Sequence, residues 1–125
     1  MKWIDSSLVM IFYKKIKLKT DGGYGLHNQE LLESAIKIAF QSYGGIELYP
    51  TIIDKIAIFT YSFIQDHPLL DGNKRVGVGL MMLLLKINNI NIIYTQYELV
   101  EFAILVAKNS YKKNEIKEWI ENHLI

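Results

Sequence analysis

The residues best equipped for chemistry lie together in one segment of nine, from His67 to Arg75. This segment, His67-Pro68-Leu69-Leu70-Asp71-Gly72-Asn73-Lys74-Arg75, supplies a base, a carboxylate, a Gly-Asn pair and two cations. Pro68 disfavours the right-handed helical region for the residue before it, so a preceding helix should end at about Asp66 or His67. The apolar run from Val76 to Leu85 follows directly and predicts a helix that other helices surround. We interpret the segment as a polar loop that leads into the N-terminus of a buried helix.

The start of that predicted helix has the properties of an anion site. Its first backbone N–H groups have no intrahelical partner and carry the positive end of the helix dipole. Gly72 permits the turn that precedes it, and Lys74 and Arg75 add positive charge at the same place. Because these two cations would lie about 100° apart around the helix, one would grip a phosphate while the other reaches round it or serves the fold. Phosphate is the anion expected at such a helix N-terminus.

Asp71 and His67 extend this anion site into a site for group transfer. A carboxylate beside a phosphate is a suitable ligand for Mg²⁺, which proteins often hold through one carboxylate plus substrate oxygens. A histidine side chain can accept a proton from an attacking hydroxyl near pH 7. The residue types therefore predict phosphoryl or nucleotidyl transfer.

Each of these residues has an ordinary structural explanation when it is taken alone. A histidine before proline is most often the end of a loop, and Asp71-Gly72 by itself is a turn signal. Lys74 and Arg75 alone would form a solvated first helical turn, although cations at this end of a helix oppose its dipole. That unfavourable placement, and the occurrence of all these residues in one segment, favour the phosphate site.

The same segment resembles the signature of the Fic/Doc superfamily, and most of all its death-on-curing (Doc) branch, the toxins of type II toxin–antitoxin systems. Fic enzymes carry H-x-F-x-(D/E)-G-N-G-R-x-x-R, whereas Doc toxins carry H-x-F-x-(D/N)-(A/G)-N-K-R. Lys74 is the Doc version of its position, and Val78 stands where Fic enzymes have a second Arg. The resemblance extends upstream, so that it covers nearly the whole chain, through Gly22-Gly23-Tyr24-Gly25, Leu31-Leu32-Glu33-Ser34-Ala35 and Gly44-Gly45-Ile46-Glu47-Leu48-Tyr49-Pro50.

The resemblance implies a specific activity. Fic enzymes transfer AMP from ATP to a protein hydroxyl. Doc toxins bind ATP in the reverse orientation and pass its γ-phosphate to a threonine of elongation factor Tu, which stops translation. By position, His67 would be the general base and Asp71 the Mg²⁺ ligand. The chain would then be a toxin with ATP-dependent protein Ser/Thr kinase activity.

The remaining motif residues would bind the nucleotide. Gly72 and Asn73 would form the turn that cradles the phosphates. Lys74 would select the pose of ATP, and Arg75 would clamp a phosphate. The chain departs from the Doc pattern at Leu69, where the family has a Phe that anchors the loop in the core. Leu can still be buried there, with a loss of about 1 kcal/mol of packing energy. Gly72 is shared with Fic enzymes, so AMP transfer is the alternative activity. A second alternative is a catalytically inactive binding protein of the same fold.

Composition limits the other possibilities. The 125 residues suit a single domain, residues 1–125, and half of them are hydrophobic. A net charge of +1 gives no electrostatic reason to expect direct nucleic-acid binding. Cysteine is absent, which excludes disulfides and thiol chemistry. Without a signal-like or membrane-spanning apolar run, we expect a protein of the bacterial cytoplasm with no membrane partner.

Hydrophobic periodicity and capping signals predict an all-α fold, a compact bundle of six helices around Val76–Leu85. The expected helices are Met1–Lys19 with a cap at Asp5 or Ser6, one from Asn28 to Gly44-Gly45, one from Pro50 to His67, the central helix ending at Asn88-Asn89, one from the capping box at Thr95, and one from Asn114. Their expected inner faces include Leu8, Ile11, Phe12 and Ile16 in the first helix, and Val100, Ile104, Val106 and Ala107 in the fifth.

Two interactions with other proteins are expected from the resemblance. In the superfamily a flap between the second and third helices holds the target segment beside the His, and Gly44–Tyr49 is the first candidate for it, with the glycine loop 22–25 as the second. Many Fic enzymes inhibit themselves through an (S/T)-x-x-x-E-(G/N) helix. The one Glu here followed by Gly or Asn is Glu121, and position 117 is Lys, so that element is missing. We therefore expect a separate antitoxin whose disordered tail folds across the active-site groove.

Overall fold

The computed structural model describes residues 1–17 and 25–125. These residues contain six α-helices: α1 Ser6–Lys17, α2 Gln29–Lys37, α3 Ile52–Asp66, α4 Asn73–Ile87, α5 Gln96–Ala107 and α6 Lys113–Asn122. A single two-stranded sheet, β1 Ser42–Tyr43 and β2 Ile46–Glu47, lies between α2 and α3. The predicted all-α bundle of six helices is confirmed. The end predicted for the first helix at Lys19 and most of the glycine loop 22–25 fall outside the described residues.

Two adjacent helices, α3 and α4, form the centre of the bundle. They pack extensively on one another, and α3 also packs on α2, α5 and α6. The middle of α4 is almost wholly buried, as its apolar sequence predicted. The loop 67–72 connects α3 to α4, so these two central helices fix both ends of the loop that carries the motif residues.

Among the described residues, no helix combines the length and the apolar character that a membrane crossing requires.

Local capping signals account for most helix starts. Asp5 accepts a hydrogen bond of 2.8 Å from the Leu8 N–H, and Asn28 caps α2 through the Leu31 N–H. Thr95 begins α5 with the predicted capping box. The start predicted at Met1 was wrong, because α1 begins at Ser6, directly after the predicted cap Asp5. Two further predicted starts were wrong by one or two residues. α3 is capped by Thr51, one residue after Pro50, and α6 begins at Lys113, before the predicted cap at Asn114.

The predicted end of the second helix was also wrong. α2 ends at Lys37, and a single 3-10 turn, Ile38–Phe40, follows it. Gly44 and Gly45 instead form the turn of the β1–β2 hairpin, with φ values of 58° and 82°. Two consecutive positive φ values are what a tight hairpin turn of the type I′ class requires, and glycine adopts them without strain. The pair of glycines was therefore a hairpin signal rather than a helix stop.

The inner faces predicted for α1 and α5 were partly wrong. In α1 the buried residues are Val9 and Tyr13, while Leu8 and Ile11 are exposed. In α5 the buried residues are Phe102 and Val106, while Val100 and Ile104 face solvent. The two misassigned side chains of α5, Val100 and Ile104, lie along an apolar groove between α1, α4 and α5. This groove has a volume of about 600 Å³ and is lined by Ile16, Lys74, Arg75, Val78, Gly79, Met82, Gln96, Leu99, Val100, Ala103 and Ile104. The sequence pattern detected apolar faces but could not show that part of them is left uncovered.

The last helix is tied to α3 by one buried carboxylate. Asp54 is 4% exposed, and its Oδ1 lies 2.7 Å from Lys113 Nζ and 2.9 Å from Lys117 Nζ. Burial opposes its ionisation, but the hydrogen bonds from Lys113, Lys117 and Thr51 outweigh burial and hold the pKa of Asp54 well below its ordinary value. The same carboxylate completes the Thr51 capping box. One side chain therefore starts α3 and holds α6 against it.

The C-terminal turn is held by a histidine between a carbonyl and a carboxylate. His123 Nδ1 lies 2.7 Å from the Trp119 carbonyl oxygen, and Nε2 lies 2.8 Å from Glu98 Oε2. Burial disfavours the charged ring, but the bonds to Glu98 and Trp119 outweigh it and raise the pKa of His123. The bond from Thr95, and then that from His123, lower the pKa of Glu98. Both nitrogens donate only when the ring is protonated, so this clamp is complete as an imidazolium–carboxylate pair.

We expect this clamp to make stability depend on pH near neutrality. A raised folded-state pKa gives a stabilisation that is complete below the unfolded pKa of about 6.5 and is lost as the pH rises through the folded pKa. His123→Gln should therefore lower the midpoint of urea denaturation most at about pH 6, and by progressively less as the pH rises toward about pH 8.5. His27→Gln, at an exposed histidine, is the control and should show no such trend. A His123→Gln deficit that is constant across this range would contradict the assignment.

Candidate active site

The segment with the chemistry begins where α3 ends. His67 caps α3 in the left-handed conformation, with φ 54° and ψ 58°. The prediction that Pro68 moves His67 out of the right-handed helical region is confirmed, and the position adopted is left-handed rather than extended. His67 Nδ1 lies 2.8 Å from the Gln65 carbonyl oxygen. Because a carbonyl only accepts, Nδ1 carries the proton in the neutral ring and Nε2 is left as the basic nitrogen, the form that a general base requires.

The loop after His67 is closed by the side chain of Asn73. Asn73 Oδ1 accepts from the Leu69 N–H at 2.9 Å, and Asn73 Nδ2 donates to the Leu69 carbonyl at 3.0 Å. Leu69 itself is 2% exposed, so it anchors the loop in the core although it is smaller than the Phe of the family pattern. The Asn73 side chain therefore holds the loop, while its backbone N–H, which has no intrahelical acceptor, can meet a phosphate.

A second segment holds the same loop from the other side. Leu26 and Leu69 form an antiparallel bridge, the His27 N–H donates to the Pro68 carbonyl at 2.8 Å, and the Leu70 N–H donates to the Gly25 carbonyl at 3.0 Å. The buried Tyr13 of α1 holds this second segment, because its hydroxyl accepts from the Gly25 N–H at 3.2 Å. Sequence reasoning did not identify Tyr13, and no motif marked it.

The helix that follows presents an open N-terminus. Gly72 is its N-cap in the left-handed conformation, φ 83°, and no side chain caps the helix. The first intrahelical bond runs from the Val76 N–H to the Gly72 carbonyl at 2.9 Å, so the N–H groups of the three preceding residues have no intrahelical acceptor. A cleft of about 390 Å³ opens at this point, lined by His67, Leu70, Asp71, Gly72, Asn73, Lys74 and Arg75. All six predicted site residues therefore border one cleft.

Electrostatics in the cleft are arranged for an anion and a hard cation. Lys74 and Arg75 are exposed at the start of α4, and Asp71 is the carboxylate beside them. Asp71 Oδ2 lies 3.5 Å from Lys17 Nζ, and the two side chains are 58% and 7% exposed. Lys17 lies in the last turn of α1, far from Asp71 in the sequence. The structure brings it to the metal-ligand candidate, which local sequence could not indicate.

The residues present fit a magnesium ion held together with a nucleotide. Within residues 1–17 and 25–125 no group of three or more His, Cys, Asp or Glu side chains is placed to hold a metal by itself. Asp71 would therefore supply a single carboxylate, and the remaining ligands would be phosphate oxygens and water, which is the arrangement Mg²⁺ commonly adopts with nucleotides.

The pair of hydrogen bonds between the Asn73 side chain and the Leu69 backbone, which we call the loop clamp, gives a direct prediction. Asn73→Ala leaves the buried N–H and carbonyl of Leu69 without their partners, and we expect a loss of about 2–4 kcal/mol in the free energy of unfolding, measured by urea denaturation. Asn91→Ala, at an exposed asparagine, is the matched control and should change stability by less than about 0.5 kcal/mol. Equal stability of the two variants would show that the clamp does not hold the loop.

Comparison with known proteins agrees with this geometry. The sequence profile of the Fic/DOC family matches residues 3–85, which include α1 to α4 up to Leu85 and the whole of the cleft. No curated protein sequence matches the chain at a significant level. The match spans well over half of the chain and contains the motif whose residues line the cleft. The protein belongs to the Fic/Doc family.

Proposed function

We propose that this protein is a Doc-type toxin that transfers the γ-phosphate of ATP to a Ser or Thr hydroxyl of a translation factor, with elongation factor Tu as the expected target. Family membership supports a transferase that modifies proteins. Lys74 carries the finer assignment, because it occupies the Doc position and borders the cleft with His67 and Arg75. Translation would stop in the cytoplasm of the bacterial host.

The chemistry assigns one role to each side of the cleft. Nε2 of His67 accepts the proton of the attacking hydroxyl, while the Nδ1–H bond to Gln65 holds the ring in that tautomer. The first N–H groups of α4 and the guanidinium of Arg75 bind phosphate oxygens, and Lys74 sets the pose of the nucleotide. Mg²⁺ bound through Asp71 would neutralise phosphate charge in the transition state. Lys17 keeps the Asp71 carboxylate in place beside the cleft.

The β1–β2 hairpin is the part of the chain best suited to hold the target. It lies between α2 and α3, where the first candidate flap was predicted, and its strands are exposed on both faces. Tyr43 and Ile46 are 82% and 72% exposed. An extended target segment could add to a free edge of this hairpin by backbone pairing. The hairpin thus serves as the proposed docking element for the substrate protein.

The apolar groove supports the proposed antitoxin. It runs between α1, α4 and α5, and it shares Lys74 and Arg75 with the cleft. An uncovered apolar surface of this kind is typical of a protein interaction site. A disordered tail that folds into it would cover the nucleotide-binding end of the cleft. We expect a co-expressed antitoxin to co-purify with the chain and to abolish transfer, and a complex that retains full activity would contradict this proposal.

AMP transfer is the second candidate, because Gly72 fits both the Fic and the Doc pattern and does not separate the two activities. Gly72, in the left-handed conformation at the N-cap, is the residue that Fic enzymes carry at this position. The two activities attach different groups to the same hydroxyl. The mass gained by the target therefore distinguishes them without ambiguity.

The deciding experiment is intact-mass spectrometry of elongation factor Tu after incubation with the protein, ATP and Mg²⁺. We expect a gain of about 80 Da, one phosphoryl group. His67→Ala should abolish it, because the hydroxyl would lose its base. His27→Ala is the matched control, since His27 is exposed and takes part in the loop only through its backbone, and it should retain transfer.

The other outcomes each have a definite meaning. A His67-dependent gain of about 329 Da, one AMP, would overturn the kinase assignment and establish the Fic activity. No gain on any protein of a bacterial lysate incubated with labelled ATP would favour the inactive binding protein. A gain that persists in His67→Ala would remove His67 from the mechanism.

A further inference from the structure

The β1–β2 hairpin lacks a core of its own. Every residue from Gln41 to Leu48 is exposed, so the hairpin buries no side chain against the bundle. Its backbone ladder is short, and the Leu48 N–H extends it by donating to the Gln41 carbonyl at 3.0 Å. An isolated two-stranded hairpin is marginally stable in water. Its orientation must therefore come from contacts at its two ends.

Trp3 packs against Phe40 and Lys113 lies over Tyr49 at these ends, and three further contacts meet at one buried ammonium group. Lys55 of α3 is 4% exposed, and its Nζ lies 3.0 Å from Glu47 Oε1 in β2. The same Nζ donates to the carbonyl of Tyr49, just after β2. It also lies 5.5 Å from the ring centroid of Phe40, just before β1. One side chain thus contacts both ends of the hairpin.

The properties of the Lys55 side chain suit a role in orienting the hairpin better than a general role in stabilising the fold. A lysine is rarely so buried, because its charge loses hydration, and an apolar side chain at such a site often stabilises a fold equally well. An ammonium has three N–H donors, and here they face a carboxylate, a carbonyl and an aromatic ring. All three partners belong to the hairpin or its two flanking residues. The site is therefore built for directional contacts to the hairpin.

We propose that Lys55 is a positioning residue that fixes the orientation of the β1–β2 hairpin on α3 and thereby sets the affinity for the target segment. The second half of this statement rests on the proposed function of the hairpin as the docking element. Lys55 does not border the cleft, so it acts through the hairpin and not on the reacting atoms.

A neighbouring network keeps the fold intact when Lys55 is changed. Asp54 precedes Lys55 in α3 and binds Lys113 and Lys117 of α6, of which Lys113 also lies 5.7 Å from the ring centroid of Tyr49. Its bond to Thr51 also starts α3 without help from Lys55. Lys55→Met, which keeps the length of the side chain and removes the charge, should therefore loosen the hairpin while α3, α4 and α6 remain folded.

Hydrogen exchange tests the anchoring without any activity. In Lys55→Met we expect the Leu48 amide and the β1–β2 amides to exchange about tenfold faster, while amides of α4 change by less than about twofold. Lys86→Met, the same chemical change at an exposed lysine of α4, should leave the hairpin amides unchanged. Glu47→Gln removes the ion pair by changing its exposed partner, and it should increase the exchange rate of the same amides by a smaller factor. Unchanged hairpin exchange in both Lys55→Met and Glu47→Gln would overturn the proposal.

Steady-state kinetics test the link to the target. Lys55→Met should raise the KM for the target protein about tenfold, with kcat and the KM for ATP within about twofold of the original values, because only target binding is weakened. Faster hairpin exchange with an unchanged target KM would refute the link to affinity. If the original protein modifies no target, the proposed function fails, whereas the exchange experiment still decides whether Lys55 anchors the hairpin.

Discussion

The double hydrogen bond between the Asn73 side chain and the backbone of Leu69 is the constraint on which the cleft depends. It joins the first residue of α4 to the buried centre of the loop, so that the loop cannot move independently of the helix. The Leu26 bridge holds the same residue from outside. Asp71 and Gly72 lie between these fixed points, which leaves the carboxylate and the open helix N-terminus in a defined relation to His67.

The rest of the bundle serves to support this loop and the proposed substrate elements beside it. α3 packs extensively on both α4 and α6, and the loop is the connection between α3 and α4. Two consecutive charged residues of α3 face different parts of the molecule: Asp54 binds the lysines of α6, and Lys55 binds the hairpin. Both are almost fully buried, and both have their charge matched by named partners. The two central helices thus carry the site, whereas the hairpin and the apolar groove are exposed parts of the surface.

Sequence reasoning succeeded where the signal was local. The motif residues lie within nine positions, so any fold that places a helix after Gly72 brings them together. Caps such as Asn28 and Thr95 act within a single turn and were located correctly. Errors arose where two local signals conflict or where packing decides. Gly44-Gly45 is compatible with a helix end and with a hairpin turn, and only the pairing of β1 with β2 distinguishes the two.

The sequence by itself determined the family, the helical class and the set of residues around the cleft, because periodicity, caps and a contiguous motif are properties of neighbouring residues. Only the tertiary structure decided that Tyr13 and Lys17 of α1 reach the loop, and that Lys55 faces the hairpin. It also decided that Val100 and Ile104 of α5 border an open groove. These contacts join residues far apart in the chain. Their existence depends on which face of each helix its neighbours cover, and that is set by the packing of the whole bundle.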